Sequence, residues 1–302
     1  MTLETALLEW YARSGRSQLP WRTTRDPYYT LVSEFMLQQT QVDRVIPKFE
    51  AFVARFPDVR SLAAASRADV LREWQGLGYN SRAVRLQQVA SAVVERHAGL
   101  IPREREALLA LPGVGPYTAA AIRAFAYNED DAPMDTNIRR IVHRLFFGLE
   151  HPPLAGSSQL DASARAILPK GRGHDWNSAL MDLGATVCTA RAPKCLLCPL
   201  RGACAAAPID SEILEKHRKA APKKASPKSG VPFERTTRFA RGRIVDALRA
   251  LPAGQRISLL DLHADLEAVL AGRTLEEVER LVEALERDGL VSASGRFVAL
   301  AE

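Results

Sequence analysis

All four cysteines of this 302-residue chain fall within seventeen positions, as Cys188, Cys195, Cys198 and Cys204, spaced C-x6-C-x2-C-x5-C. No other feature restricts the fold as tightly, because four thiols this close in sequence serve best when they converge on one centre. Disulfides are the alternative, and they belong to secreted chains. Here Met1 leads into an acidic, Trp-containing stretch from Thr2 to Tyr11, not into a basic region followed by an apolar run. A cytoplasmic chain is therefore expected, and in such a chain a four-cysteine group reads as a metal or cluster site. Zinc and iron–sulfur both accept four thiolates, so the ligand rules alone leave the two open.

Residues 1–207 predict an all-α body. Apolar positions recur at helical spacing, as in Leu62, Val70, Leu71 and Trp74, then Leu86, Val89, Val93 and Val94. Short loops are marked by Pro or Gly, at Phe56-Pro57, Gly76-Leu77-Gly78 and Ile101-Pro102. No apolar run approaches the ~18 residues of a membrane span, so no membrane partner is expected.

The net charge is +6, with a pI near 9.3, and its placement matters more than its size. Six Lys/Arg and no acid lie between Lys216 and Lys228, and Arg235, Arg238, Arg241 and Arg243 follow. Such a run suits a polyanion, most economically a nucleic-acid backbone, although a solvated linker also carries charge. Residues 208–234 read as a basic Pro/Lys-rich linker. Residues 235–302 predict three helical stretches, near 239–251, 259–270 and 275–288, the last two behind the N-caps Ser258 and Thr274. A hairpin around Gly295 ends the chain. Three helices and a hairpin form the pattern of a winged-helix module.

Leu111-Pro112-Gly113-Val114-Gly115-Pro116-Tyr117-Thr118 lies between two predicted helices, about 103–110 and 116–127. Pro116 suits a first helical turn, and Gly113 and Gly115 allow a tight bend and a close ligand approach. The N–H groups of Gly113, Val114 and Gly115 and the helix start could donate to a phosphate, a contact that positions DNA without reading a base. An ordinary interhelical turn uses two glycines as well.

With the cysteine cluster some 70 residues later, this hairpin resembles the helix-hairpin-helix of the endonuclease III and MutY superfamily of base-excision DNA glycosylases. Met134-Asp135-Thr136-Asn137 is similar to that family's aspartate loop, and the cysteine spacing to its [4Fe–4S] loop. The resemblance covers roughly residues 5–207. Leu19-Pro20-Trp21-Arg22, the segment Ser33-Glu34-Phe35-Met36-Leu37-Gln38-Gln39-Thr40-Gln41-Val42 and Gly76-Leu77-Gly78-Tyr79 look like the MutY branch, the adenine glycosylases. It implies a monofunctional enzyme excising adenine mispaired with 8-oxoguanine or guanine, with duplex DNA as partner, a [4Fe–4S] cofactor on the four cysteines and a monomeric state.

N-glycosidic cleavage needs a proton on the leaving base and negative charge beside the sugar cation, and two carboxylates in different environments supply both. Glu34 sits among Leu31, Val32, Phe35, Met36 and Leu37, where burial should raise its pKa. The resemblance implies that it protonates adenine at N7. Asp135 suits an N-cap, and helix-start N–H groups are expected to hold it ionised. The resemblance makes it the stabiliser of the oxocarbenium ion, oriented by Asn137, with Tyr117 beside the sugar. Bifunctional relatives carry a lysine at the Tyr117 position. Here Lys48 is the only lysine in residues 1–169, so hydrolysis without strand nicking is expected.

The target base must be flipped out of the duplex. Tyr79 and Gln38 match the family's wedge positions, and Arg22 a residue near the flipped adenine. The chain departs from the pattern at Asn80, where most relatives have a second aromatic, and at Thr136, where many have glycine. These departures keep a thymine or uracil glycosylase for G·T and G·U mispairs as the second reading; a catalytically silent DNA-binding protein is the third. MutY proteins usually carry a strand-rich Nudix-like domain with a Phe-Ser-His type loop. The short C-terminal unit here has neither, so lesion-strand recognition is expected to fall to Tyr79 and Gln38, the linker and winged helix adding backbone affinity.

Overall fold

The computed structural model describes residues 2–151, 153–221, 232–270 and 272–302. Along the chain run α1 (Leu3–Ser14), α2 (Pro27–Leu37), α3 (Val42–Arg55), α4 (Val59–Ala64), α5 (Arg67–Glu73), α6 (Ser81–His97), α7 (Arg105–Leu109) and α8 (Pro116–Ala121). A π-helical turn (Ile122–Ala126) extends α8. Then come α9 (Thr136–Phe146), α10 (Ser157–Ala166), α11 (Gly173–Thr186), α12 (Ser211–Ala220), α13 (Thr237–Ala250), β1 (Ile257–Ser258), α14 (Leu259–Leu266), α15 (Leu275–Arg287), β2 (Val291–Ser294) and β3 (Phe297–Leu300). No helix among the described residues is long and apolar enough to cross a membrane.

The chain forms two compact units. The first joins residues 1–34 to 101–224, and the second joins 35–100 to 225–302. In the first, α1 and α9 pack on α11 around Leu7, Ile138, Val142, Trp176 and Leu180, all of them buried. Gly184 makes the contact between α9 and α11 possible: a Cβ there would lie 2.6 Å from Asn137 Cβ. Buried Asp131 ties the hairpin region together through Arg105, Arg123 and Arg165, at 2.8, 3.1 and 3.1 Å.

In the second unit, Phe52 meets Phe56 and Trp74 edge to face. The periodic residues read as core are buried there, except Val94, which is partly exposed. The C-terminal elements follow the order that the sequence suggests, and Ser258 and Thr274 accept the cap bonds from Asp261 and Glu277 N–H. Gly295, at φ +59°, turns β2 into β3. The two-residue strand β1 also pairs antiparallel with β3, giving the order β1-β3-β2. Two residues are too few to show alternation, so the sequence carries no sign of β1. Both α13 and β3 pack on α5.

Part of the stretch read as linker is helix α12. Asp210 caps it, accepting from Glu212 and Ile213 N–H, and Glu215 pairs with Arg218 and Lys219 one turn on. Proline and charge dominated the composition of 208–234 and hid these local helix signals. The remaining part of that stretch, 222–231, lies outside the described residues.

Candidate active site

Helix α2 delivers Glu34 to the first unit as a buried carboxyl, 7% exposed. Burial pushes it up to about 7; the phenol of Tyr117, which donates to it, and nearby Arg22 pull the other way, and Asp135 adds to the rise. Burial, then the negative charges of Glu34 and Asp135, hold the Tyr117 phenol well above its usual range, so it stays neutral and donates. The sequence-based expectation of a raised Glu34 therefore holds, for the reason expected: apolar surroundings disfavour the charged form.

Asp135 caps α9. Its Oδ1 accepts from Ile138 N–H at 2.7 Å and its Oδ2 from Asn137 Nδ2 at 3.0 Å. Burial nevertheless raises its pKa, outweighing these donors. The cap donors expected from the sequence are present and oppose that rise. Asn137 is itself held, because Arg140 Nη2 donates to its Oδ1 at 2.8 Å, and the same guanidinium donates to the carbonyls of Gly184 and Cys188, each at 2.8 Å. Asp135 is thereby linked, through one hydrogen-bonded chain, to the start of the cysteine loop.

Arg22 is fixed by an acid that sequence reading did not single out. Asp182, on α11, accepts from Arg22 Nη1 at 2.8 Å and from the Arg16 guanidinium at 2.7 and 2.8 Å. Burial opposes its charge, yet these two arginines hold its carboxyl below the ordinary range. An isolated Asp inside an amphipathic helix carries no sequence signal of that role.

In the hairpin, Gly113 takes φ +79° and Gly115 serves as the N-cap of α8, with open space where a Cβ would stand. Val114 is buried and gives its N–H to the Leu111 carbonyl at 3.2 Å, so it braces the turn and does not offer that donor outward.

All four cysteines are free and line one cavity with Val187, Pro193 and Lys194. Among the described residues, no group of three or more His, Cys, Asp or Glu side chains is placed to hold a metal ion. Burial pushes the Cys198 thiol up to about 11 and raises Cys204 as well, so ligation has to displace their protons. Arg144, buried on α9, approaches Cys188 Sγ at 3.5 Å and is clamped by Glu150 at 2.6 and 2.7 Å. The helix capped by Asp135 thus carries, near its other end, the arginine beside the thiols.

Tyr79 and Gln38 belong to the second unit. Tyr79 is 37% exposed, in a left-handed conformation at φ +47°. Arg82, 5% exposed, joins the two segments: its Nη1 donates to the Phe35, Met36 and Gln38 carbonyls at 2.8, 2.8 and 2.6 Å, its Nη2 to those of Leu77 and Gly78 at 3.1 and 3.0 Å. Burial lowers its pKa to about 10, still charged at neutral pH. An arginine in the first turn of a helix reads as surface in a sequence, and sequence reading missed it.

A protonatable carboxyl near a second carboxyl, with a neutral phenol donating to the first, is the equipment of glycosidic-bond hydrolysis. Comparison with known proteins agrees. Residues 32–162 match the family model of the HhH-GPD superfamily base excision DNA repair proteins. The chain is 40% identical over 298 residues to an adenine DNA glycosylase of Mycobacterium tuberculosis (strain CDC 1551 / Oshkosh), a match spanning 97% of this chain and 92% of that one. It is 38% identical over 304 residues to the adenine DNA glycosylase of Mycolicibacterium smegmatis, spanning 98% and 95%. Among solved structures, a thermostable thymine-DNA glycosylase superposes with a TM-score of 0.61 at 32% identity, over 66% of this chain and 92% of its own. The chain belongs to the HhH-GPD superfamily of DNA glycosylases and, within it, to the MutY-type adenine DNA glycosylases.

Proposed function

We propose that this protein is a monofunctional DNA glycosylase that removes adenine paired with 8-oxoguanine or guanine, acting as an intracellular monomer on duplex DNA. The observation that carries the reading is Glu34: burial sets its pKa near 7, so at neutral pH a proton is available and can also be given up. Glu34 protonates the departing adenine, which leaves as a neutral base while positive charge develops on the sugar. Asp135, oriented by Asn137, stabilises that charge, and water completes the hydrolysis. Tyr117 holds the Glu34 carboxyl in place through its phenol. The same position offers no amine, which supports hydrolysis without strand nicking. Arg22, locked by Asp182, borders the flipped base. Gly113 and Gly115 receive a backbone phosphate with Val114 shaping the turn, while Tyr79 and Gln38 fill the gap that the base leaves.

Cys188, Cys195, Cys198 and Cys204 hold a [4Fe–4S] cluster. Their shared cavity and their spacing, which matches the family's cluster loop, support this reading, and Arg140 and Arg144 would offset the cluster's negative charge. These cysteines would hold the cluster beside α9, whose Arg140 and Arg144 already contact Cys188. Residues 1–207 form the glycosylase domain, and 235–302 a winged-helix-like module joined by the basic segment 208–234.

Labelled duplexes carrying A·8-oxoG, A·G, T·G and U·G, incubated with the protein and then treated with alkali, test this. Strand scission at A·8-oxoG and A·G is expected. Scission at T·G or U·G alone overturns the adenine reading in favour of a thymine or uracil glycosylase, which Thr136 and the likeness to a thymine-DNA glycosylase structure would then explain.

A further inference from the structure

The turn that carries Tyr79 is unusual backbone. Gly76, Gly78 and Tyr79 all take positive φ, at +88°, +69° and +47°. Glycine adopts that region freely, whereas a tyrosine there costs about 1–2 kcal/mol and persists only where its surroundings fix it. Arg82 secures the carbonyls of the turn and lies 5.6 Å from the centroid of the Tyr79 ring. The closer contact on that ring and the bond to the Asn80 side chain come from α13 of the C-terminal module, within the same compact unit.

Arg238 places its guanidinium 4.0 Å from the centroid of the Tyr79 ring. Arg249, 8% exposed, donates from Nη2 to Asn80 Oδ1 at 2.8 Å, from Nε to the Leu71 carbonyl at 2.9 Å, and from Nη1 to Asp246 at 2.9 Å. Eleven residues separate the two arginines, about three helical turns, so both project from one face of α13. With Tyr79 and Asn80 they line a single open cavity that also takes in Arg44 and Phe239. Asn80 thereby gains a role: its side-chain oxygen is the acceptor that Arg249 Nη2 meets. Burying a guanidinium is costly unless its donors are satisfied, and here every nitrogen finds an acceptor.

We propose that the C-terminal module is a brace for the base-opening turn, with Arg238 and Arg249 as positioning residues that preset Tyr79 for insertion into the duplex. This rests on the reading of Tyr79 as the wedge. Arg238 lies over the ring and fixes its tilt; Arg249 pins the following residue, and with it the left-handed backbone. The module therefore acts on base opening through the turn, beyond any affinity its charge lends to DNA.

The test uses full-length Arg238→Ala and Arg249→Met, with Arg280→Ala as a control that removes an exposed positive charge on α15 outside that cavity. Arg238 is exposed, so its loss leaves the fold intact even if Arg249→Met does not. In the DNA-free protein, amide hydrogen exchange across 76–81 should speed up in both variants and stay unchanged in the control and in α9. On A·8-oxoG duplex, single-turnover base release should slow by roughly 3- to 30-fold, the range a cation–π contact supports. Fluorescence of 2-aminopurine beside the target adenine should report correspondingly slower opening. Affinity for undamaged duplex should stay within twofold of the control. Unchanged exchange and unchanged release in Arg238→Ala overturn the brace. So does a fall in release that merely tracks weakened binding to undamaged DNA, which would make these arginines phosphate contacts. If wild-type protein releases no adenine, the functional reading fails, while the exchange measurement still decides whether the turn is braced.

Discussion

Replacing Glu34 with glutamine should separate catalysis from stability, in opposite directions. An amide keeps the shape and still accepts from the Tyr117 phenol, but it cannot protonate a leaving base, so base release should fall by at least two orders of magnitude. The stability effect follows from the carboxyl's shift from 4.5 to about 7 on burial. Below pH 4.5 the carboxyl is neutral in both folded and unfolded protein and costs nothing. Between 4.5 and 7 the unfolded chain ionises it while the folded chain does not, so the wild type loses about 1.4 kcal/mol per pH unit. Above 7 both forms are ionised and the loss levels off near about 3 kcal/mol. Glu34→Gln escapes this loss. Urea unfolding of the two proteins at matched pH, from about 4.5 to about 8.5, should therefore show the variant gaining on the wild type as pH rises, then a plateau. The slope is the diagnostic, because any constant difference absorbs how well the amide packs, and the titrating groups other than Asp135 and Tyr117, which feel the Glu34 charge, are common to both proteins. A stability difference independent of pH would refute the burial argument, and full activity in the variant would refute the general-acid role.

The wild-type rate supplies a second handle: kcat/KM for base release should decline as pH rises through about 7, because the protonated form of Glu34 is the active one. Asp135→Asn should lose at least two orders of magnitude in base release while binding DNA as tightly as before; a rate within tenfold of wild type removes Asp135 from the chemistry. Gly184→Ala should cost about 1–3 kcal/mol in unfolding free energy and slow base release, because the new Cβ meets Asn137 at 2.6 Å and must push α9 off α11; a variant with wild-type melting and rate would show that α9 shifts freely. Purified protein should contain iron and acid-labile sulfide, and zinc without sulfide contradicts the cluster. Borohydride should trap no covalent protein–DNA adduct in quantity, whereas efficient trapping reveals an amine at the sugar.

Much of this protein is written in one dimension. Helices announce themselves through the spacing of Leu86, Val89 and Val93 on α6 and through caps such as Ser258 and Thr274, because those signals act within a turn or two of chain. The direction of the Glu34 shift was legible too, from the apolar stretch that carries it, although the groups against its carboxyl, Tyr117, Asp135 and Arg22, come from elsewhere in the chain. Local pattern could not show what distant segments bring to each position. Asp135 was legible as a cap, but the enclosure that pushes its pKa upward against the cap donors comes from the folded chain. Asp182 fixes Arg22 across 160 residues, Arg82 gathers carbonyls from two loops, and Arg249 reaches Asn80 across 169. The two-residue strand β1 exists only because β3 lies beside it. Sequence alone therefore determined most of the helices, α12 excepted, the candidate site residues and the grouping of the thiols. Tertiary structure decided which charges are held, how far each carboxyl is shifted and what supports the turn at Tyr79. The reason is physical: hydrogen bonds and desolvation depend on neighbours in space, and for a buried polar group those neighbours come mostly from elsewhere in the chain.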